Sequence, residues 1–412
     1  MRRARLWGCF LAVLLAASLC SAEPRQDIES IAKGSNAFAT DLYSRLAHEP
    51  GNLFFSPYSI SSALAMTYAG ARGQTAAQMA QVLHFSVPDD RLHAAFGAVA
   101  DDLNSGGKVD GKAVYELSVA NALWGQSGFA FNPAYIRLLH NDYQAELHQA
   151  DFDSGAKEAS ADINQWVEQK TNGKIKNLVS PAALNNAHEV ARLVLVNAIY
   201  FKGKWETEFK KEDTQSQPFH LEGQKDVQAP LMHQEIECAA MENDDFQAIE
   251  LPYTGGSLSM VILLPRRADG LPALEGKLTA ENLNQWLGQL REYQVQAYVP
   301  AFKMESQFEL SNELISMGMN EAFSGEADFS GMTPATSLQI GWVIHKAFVD
   351  VNEEGTEAAG ATAVVVVHPV VVIRQVSPPP MTFRADHPFV FLIRQKTSGA
   401  ILFMGRVENP ST

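Results

Sequence analysis

The segment Leu193-Val-Leu-Val-Asn-Ala-Ile-Tyr-Phe201 is almost continuously apolar, and Asn197 is its one amide. An apolar run of this length, without alternating polar positions, predicts a strand that is covered on both faces. Further strand-like runs lie mainly in the second half of the chain, at 257–265, 294–302, 389–394 and 401–407. Helix signals dominate the first half, and this division predicts an α+β fold rather than an alternating α/β fold.

Serine and threonine mark several predicted helix starts. Ser56-Pro57 and Ser180-Pro181 each place a capping serine before a proline at the first helical position. Thr279 is a further predicted cap. Thr75 with Gln78 has the spacing of a capping box, so we expect a helix to begin at Thr75.

Residues 1–22 have the pattern of a secretory signal peptide. Arg2, Arg3 and Arg5 form a basic start, an apolar run follows, and small residues end at Ala22. The apolar run is short for a bilayer span. We therefore expect the mature chain to be residues 23–412 and to be exported, either to the extracellular space or, in a bacterium, to the periplasm.

The net charge and the cysteines restrict the partners of the mature chain. Removal of the three N-terminal arginines lowers the formal charge from −15 to −18, which disfavours nucleic acid and anionic membranes as partners. Cys238 is the only cysteine after residue 22, so no intramolecular disulfide is expected. A buried, small-hydrophobe role is predicted for it.

No catalytic or metal motif is present in the sequence. Metal-ligand spacings, phosphate loops and the nucleophile elbow of hydrolases do not occur. Ser56, His345 and Asp350 are the residue types of a hydrolase triad, but Ser56 reads as a helix cap and His345 lies within a strand-like run. We therefore predict no enzyme activity, no metal and no cofactor.

A second stretch combines mobility with strand propensity: Asn352-Glu-Glu-Gly-Thr-Glu-Ala-Ala-Gly-Ala-Thr-Ala-Val-Val-Val-Val-His-Pro-Val-Val-Val-Ile-Arg374. Small residues suit backbone that must move or pack closely. The valines that follow strongly favour a pleated sheet. The stretch is therefore predicted to be both mobile and able to become a strand.

Motifs along most of the chain resemble those of the serpin family. They are Asn52-Leu-Phe-Phe-Ser-Pro-Tyr-Ser-Ile-Ser-Ser-Ala-Leu-Ala-Met66, Asn197-Ala-Ile-Tyr-Phe-Lys-Gly-Lys-Trp205, Ala327-Asp-Phe-Ser-Gly-Met332, His345-Lys-Ala347, Asn352-Glu-Glu-Gly-Thr-Glu-Ala-Ala359, Ala385-Asp-His-Pro-Phe-Val-Phe391 and Gly405-Arg-Val-Glu-Asn-Pro410. The resemblance implies one serpin domain over 23–412 with three β-sheets, about nine helices and an exposed reactive-centre loop at about 353–380.

The resemblance also implies a mechanism and site residues. A target serine protease, with cysteine proteases as a second class, cleaves the loop and forms an acyl-enzyme. The loop then inserts into the main sheet and traps the protease, so that the protein is a suicide inhibitor. The implied hinge residues are Glu353, Glu354, Gly355, Thr356, Glu357, Ala358, Ala359, Gly360 and Ala361. The implied sheet-opening residues are Ser56, Ser59, Asn197, His345 and, near the start of insertion, Trp205.

The loop sequence is compatible with insertion. In a strand, alternate residues share a face. The companions of Thr356 on one face are all uncharged, namely Ala358, Gly360, Thr362, Val364 and Val366. Glu357 falls on the other face, where we expect its charge to stay in water. The sequence therefore favours an inhibitor, and the alternative is a non-inhibitory serpin that acts as a carrier or chaperone.

Two counts along the loop disagree on the scissile bond. Counting from Gly355-Thr356 by the usual family spacing reaches Pro369, whereas counting back from Thr382-Phe383 reaches Arg374-Gln375. Arg374 is the only Lys or Arg between Glu353 and Pro380. It would suit trypsin-like proteases and is the preferred site. Cleavage at Val370-Val371 is the alternative and would suit elastase-like proteases.

Two further expectations concern association. Heparin-activated serpins carry clustered basic residues on one helix, but 89–115 contains only Arg91, Lys108 and Lys112 among several acids, so heparin activation is not expected. The apolar runs 364–367 and 370–373 resemble aggregation-prone strand segments. We expect a monomer that forms loop-sheet polymers on mild heating.

Overall fold

The computed structural model describes residues 5–105, 108–109, 112–184, 193–221, 223, 225–334, 338–356 and 380–411. Within these ranges, the side chains of 5–24, 108–109 and 225 are not described. The side chains of the predicted signal peptide therefore lie outside the described residues, and its cleavage after Ala22 stays a prediction. No helix in the described ranges has the length and apolarity needed to cross a membrane.

Helices lie mostly in the first half of the chain and strands predominate in the second, as predicted. The helices are α1 Arg5–Leu46, α2 Pro57–Tyr68, α3 Gly73–Val82, α4 Asp89–Asn104, α5 Pro133–Tyr143, α6 Ala156–Lys170, α7 Pro181–Leu184, α8 Leu271–Glu275, α9 Ala280–Gln289 and α10 Ser311–Ser316. The strands are β1 Leu53–Phe55, β2 Lys108–Val109, β3 Lys112–Ala113, β4 Tyr115–Gln126, β5 Leu147–Ala150, β6 Leu193–Lys204, β7 Gln215–Leu221, β8 Lys225–Glu242, β9 Phe246–Pro252, β10 Leu258–Pro265, β11 Arg291–Pro300, β12 Phe302–Glu309, β13 Ile340–Asn352, β14 Gly355–Thr356, β15 Met381–Arg384, β16 Phe389–Gln395 and β17 Ile401–Val407.

The described strands form three sheets. The largest has nine strands in the order β1-β17-β16-β10-β9-β8-β11-β15, with β7 paired to β8. The second has six strands in the order β12-β13-β14-β6-β4-β5, and β2 with β3 forms a two-stranded ribbon. The α+β class is confirmed, with ten described α-helices where the resemblance implied about nine.

The strand β6 has both faces buried, as the apolar run predicted. One face packs into the main hydrophobic core, through Leu195, Ile199 and Phe201 among others. The opposite face packs, through Val194 and Val196 among others, into a second core beneath α6. Because neither face meets water, Asn197 must find its hydrogen-bond partners inside the protein.

Two of the predicted helix caps are confirmed, and the predicted capping box is not. Ser56 and Thr279 accept the expected backbone hydrogen bonds, from Ser59 N and Asn282 N. The capping box at Thr75 is wrong, because α3 begins at Gly73 and places Thr75 inside the helix. Thr75 Oγ1 instead accepts from the backbone N of Asp328. The side chain thus fastens a distant loop rather than its own helix end.

Ser180 and Gln78 complete this comparison. Ser180 Oγ accepts from the backbone N of Ala183, which confirms the third cap. Gln78 Oε1 accepts from the backbone N of Glu321, on the segment that Thr75 also holds. The spacing that resembled a capping box therefore reflects two long-range contacts to one loop.

Gly405 is required by the close approach of two strands. It lies opposite Phe54 in the pairing of β1 with β17, and a Cβ atom at this position would lie 2.2 Å from the carbonyl oxygen of Leu53. The carbonyl oxygen of Leu53 belongs to the backbone of β1, so it cannot move away from the added methyl group unless β1 itself moves. We therefore expect Gly405→Ala to destabilise the fold by about 1–3 kcal/mol, the usual cost of overpacking.

The measurement is the thermal unfolding midpoint, followed by circular dichroism. Gly288→Ala is the matched control, because Gly288 lies in α9 with no atom within 4 Å of the added methyl group. Alanine in a helix is favoured over glycine by roughly 0.5–1 kcal/mol, so the control should unfold at an equal or higher temperature. Equal midpoints for Gly405→Ala and the unsubstituted chain would contradict the packing argument.

Candidate functional site: a fork between two central strands

The strands β6 and β13 pair along one part of their length and separate beyond it. They are parallel neighbours from Leu193 to Tyr200 on β6 and from Ile340 to Phe348 on β13. Past this point the two-residue strand β14 lies between them and runs antiparallel to both. The six-stranded sheet therefore contains a fork, and the chain that leads to residue 357 enters it.

Gly355 fits the mouth of the fork because it has no side chain. It pairs with Lys204 on one side and Asn352 on the other. A Cβ atom on Gly355 would lie 2.1 Å from the carbonyl oxygen of Gly203, and its φ of +150° is rarely adopted by other residues. Glycine is thus required here both by space and by backbone conformation.

Backbone hydrogen bonds fasten Glu353 and Glu354 to the chain that follows β6. The backbone N of Trp205 donates to Glu354 O at 3.0 Å, and the backbone N of Phe209 donates to Glu353 O at 2.9 Å. The indole Nε1 of Trp205 donates to Asn352 O at 2.9 Å. Trp205 therefore holds the turn that reverses the chain between β13 and β14.

Side chains add a second set of contacts at the same turn. Lys211 Nζ donates to Glu354 Oε1 at 2.8 Å, and Thr214 Oγ1 donates to Glu353 Oε1 at 2.8 Å. The hydrogen bond to Glu354 is the largest cause of a raised pKa at Lys211. The side chains of Glu353 and Glu354 thus help to hold the turn between β13 and β14.

Thr356 is the last described residue before the gap, and it is fully buried. Its hydroxyl lies 2.7 Å from the hydroxyl of Tyr253. The Tyr253 ring stacks on Trp205, with ring centroids 4.7 Å apart. Burial raises the pKa of Tyr253, so the phenol stays protonated and available for this hydrogen bond. Thr356 therefore points toward the main core.

A buried polar network closes the fork below its mouth. His345 and Asn197 are direct neighbours in the parallel pairing, and His345 Nδ1 is hydrogen-bonded to Asn197 Oδ1. Asn197 Nδ2 donates to Ser59 Oγ at 2.5 Å and also to Asn121 Oδ1. The backbone N of Ser56 donates to His345 Nε2 at 3.1 Å. These contacts link α2 and β4 to the two strands that meet here.

These contacts fix the protonation state of His345. Nε2 accepts a hydrogen from a backbone N–H, so the hydrogen of the ring must lie on Nδ1, where it is donated to Asn197. Complete burial lowers the pKa of His345 from its ordinary value to about 3. The neutral imidazole is therefore the form that joins β13 to β6 near neutral pH.

The predicted sheet-opening residues occupy two places. Ser56, Ser59, Asn197 and His345 meet in the closed part of the fork, and Trp205 lies at its mouth. The sequence analysis missed Asn121, although Val119-Ala-Asn-Ala-Leu123 has the same lone amide in an apolar run as the segment around Asn197. It also missed Tyr253, Lys211 and Thr214, for which no local signal exists.

The geometry of Ser56, His345 and Asp350 is not that of a triad. The Ser56 hydroxyl donates to Leu402 O, and it is the backbone N–H of Ser56 that meets the imidazole. The Asp350 carboxylate accepts from Asn352 and lies 3.9 Å from the ammonium of Lys303. In the described ranges no group of three or more ligand side chains could hold a metal ion.

The helix α6 covers the sheet beside the fork. Ile163 and Val167 of α6 share the second core with Val196 of β6 and Ile344 of β13. If the loop continued β14 as an extended strand, its odd-numbered residues would lie on this face of the sheet. Along the closed part of the fork, α6 covers that face. Near the mouth of the fork, Lys202 and Asp350 are half-buried. The expectation that the charge of Glu357 stays in water concerns a residue outside the described ranges and stays a prediction.

Several predicted site residues lie outside the described part of the chain. These are the hinge positions Glu357, Ala358, Ala359, Gly360 and Ala361, and the candidate scissile bonds Arg374-Gln375 and Val370-Val371. They stay predictions from the sequence.

Comparisons with known proteins agree with this architecture. The family model described as Serpin (serine protease inhibitor) matches residues 33–410. Leukocyte elastase inhibitor of Bos taurus is 41% identical over 393 residues, which cover 93% of this chain and all of that protein. Serpin48 of the insect Tenebrio molitor, described as a highly specific serpin, has a TM-score of 0.81 at 33% identity and covers 92% of this chain and 98% of its own. Human thyroxine-binding globulin, solved in complex with its ligand, has a TM-score of 0.81 at 28% identity, covering 93% of this chain and 99% of its own.

Acid should weaken the fold through His345. The pKa of His345 is about 3 in the folded chain and about 6.5 in an unfolded chain, so the unfolded state binds the proton first as the pH falls. The stabilisation is complete above about pH 6.5 and is lost on the way to pH 3, by up to about 1.4 kcal/mol per pH unit. His345→Gln should show a shallower fall of the unfolding midpoint over this range.

Two other histidines set the controls for this titration. His93 is half-buried, and desolvation lowers its pKa to about 4, so a residual acid dependence will remain in His345→Gln. His140→Gln alters an exposed histidine on α5 and should leave the slope unchanged. If His345→Gln and the unsubstituted chain have the same slope, His345 is not neutral in the fold.

Proposed function

Because this chain belongs to the serpin family, we propose that it is a secreted suicide inhibitor of serine proteases with trypsin-like or elastase-like specificity. Cleavage in the loop 357–379 leaves the protease attached as an acyl-enzyme. The new end of the loop then enters the fork between β6 and β13 as a central strand. The observation that carries this proposal is β14, which already occupies the mouth of the fork in the required antiparallel direction.

The register of β14 supports insertion along the whole fork. Gly355 pairs with Lys204 and Thr356 with Gly203, so each further loop residue moves one position down β6. Continued without a bulge, this register places Thr362 beside Asn197. The register against β13, in which Thr356 pairs with Val351, places the same Thr362 beside His345. The polar loop residue thus reaches the polar pair that closes the fork.

Exchange of hydrogen bonds supplies the driving force for insertion. One parallel ladder is lost and two antiparallel ladders are gained, and the parallel pairing is slightly less stable per residue. Thr362 can offer both a donor and an acceptor to Asn197 and His345 when it separates them. The buried amide and imidazole therefore need not lose their partners in the inserted state.

The target class and the export remain parts of the proposal. Resemblance to leukocyte elastase inhibitor supports an elastase-like target, whereas Arg374 supports a trypsin-like one. Cleavage after Arg374 would leave residues 369–373 as a tether of roughly 17 Å, at about 3.3–3.6 Å per residue. A tether of this length lets the protease keep more of its active geometry, which favours hydrolysis of the acyl-enzyme over trapping.

A carrier function is the second candidate. The observation that favours it is the similarity to thyroxine-binding globulin, a fold relative solved with a bound small ligand. The two candidates differ in their response to loop cleavage. An inserting loop should raise the thermal unfolding midpoint sharply, whereas a chain whose loop does not insert should show no change.

The decisive experiment incubates the chain with trypsin and, separately, with a pancreatic-type elastase. We expect an SDS-stable complex with at least one of them, and the mass of the released C-terminal peptide identifies the scissile bond. Cleavage without a complex for both enzymes, together with an unchanged midpoint after cleavage, would reject inhibition by trapping of these enzymes.

Moving one charge within the loop tests insertion directly. The double variant Glu357→Ala/Ala358→Glu shifts the native carboxylate from the face near Lys202 and Asp350 to the face that packs on the main core. A buried unpaired carboxylate costs several kcal/mol. We expect the variant to be cleaved normally but to form at least tenfold less SDS-stable complex.

Glu357→Ala alone is the matched control, because it removes the same native charge without burying another. It should retain trapping. Equal complex yields for the double variant and the control would show that the core-facing register, and with it the proposed insertion, is wrong.

A further inference from the structure

A buried histidine bridge holds the turn 385–388, which joins β15 to β16. His387 is 9% exposed. Its Nδ1 lies 2.9 Å from Asp386 Oδ1, and its Nε2 lies 2.8 Å from the carbonyl oxygen of Pro265 at the end of β10. Both ring nitrogens therefore face oxygen atoms that accept hydrogen bonds.

The two acceptors determine how many hydrogens the ring carries. A carbonyl oxygen cannot donate, so Nε2 must be a donor. The carboxylate of Asp386 accepts from the guanidinium of Arg384, so it is the ionised form and can only accept hydrogen bonds. Nδ1 must then be a donor as well. A histidine with two N–H groups is the imidazolium cation.

Asp386 connects this cation to β15. Its second oxygen, Oδ2, accepts from Arg384 Nε at 2.8 Å. Arg384 also donates to Gln217 Oε1, and its guanidinium lies 4.8 Å from the ring centroid of Tyr298. The strand β15 has four residues and, in the described sheet, pairs only with β11. So short an edge strand depends heavily on these side-chain contacts.

We propose that His387 is a proton-dependent latch that holds β15 against β11. When His387 loses its proton, one N–H remains for two acceptors, and either the contact to Asp386 or the contact to Pro265 is lost. The strand then separates from β11 more readily. The consequence for the lifetime of an inhibitor rests on the proposed function, whereas the latch itself does not.

The other charged groups around the turn have partners of their own. On β7, His220 pairs with Asp226 of β8, and its backbone N donates to Asp386 O. After β10, Arg266 pairs with Glu242 and Arg267 with Asp269. His220 is the second titratable histidine in this set, and it is far more exposed than His387. The experiment must therefore separate these two residues.

Hydrogen–deuterium exchange of the full chain between pH 6 and pH 9, corrected for the intrinsic pH dependence, tests the latch. Peptides that cover Met381–Arg384 should lose protection by about 10- to 100-fold as the pH rises, the expected effect of losing a charge-assisted hydrogen bond. Peptides that cover β16 should not. Nitrogen chemical shifts of labelled histidine should show both ring nitrogens of His387 protonated at the low end of the range.

Three variants complete the test. In His387→Gln, the amides of β15 should exchange rapidly at every pH. His387→Lys keeps a positive charge and several hydrogen-bond donors, so its β15 amides should stay protected and lose their dependence on pH. His220→Gln is the matched control and should behave as the unsubstituted chain does. A pH-independent β15 in the unsubstituted chain, or a neutral His387 at pH 6, would overturn the proposal. Neither readout depends on the inhibition of a target protease, so failure here is distinct from failure of the inhibitor proposal.

Discussion

The parallel pairing of β6 with β13 is the contact on which the rest of the site depends. It joins the two halves of the six-stranded sheet. The last paired residues are Tyr200 and Phe348, and beyond them the two strands separate. Above this point β14 already fills the gap, and below it the neutral His345 meets Asn197 in a fully buried position. At one end, β6 and β13 are therefore separated by the two residues of β14. Along the rest of their length they pair directly with each other.

Histidine serves opposite purposes at the two ends of the loop. His345 faces one donor and one acceptor, so the neutral ring satisfies both. His387 faces two acceptors, so only the charged ring satisfies both. Acid therefore weakens the contact that keeps the fork closed, and alkali weakens the contact that keeps β15 attached.

The sequence predicted the parts of the site that depend on local composition. The apolar run around Asn197 indicated a strand buried on both faces, and Ser56-Pro57 indicated the helix whose first turn meets His345. The direction in which β14 enters the fork could not be predicted, because it depends on a turn fixed by Trp205 from a distant part of the chain. The cover that α6 places over the sheet depends likewise on tertiary packing, and the Thr75 spacing was misread because its partner, Asp328, is 253 residues away.

The length of the fork and the length of the loop agree in the proposed inserted state. The register that begins with Gly355 opposite Lys204 brings Val366 opposite Leu193, the first residue of β6. The six core-facing residues from Thr356 to Val366 then span the strand, and none of them is charged. Pro369, which lacks the N–H that a central strand requires, falls beyond the end of β6. In the proposed inserted state the sheet would accept the loop as far as the proline, and the residues between Pro369 and the scissile bond would set the distance between the protease and the inhibitor.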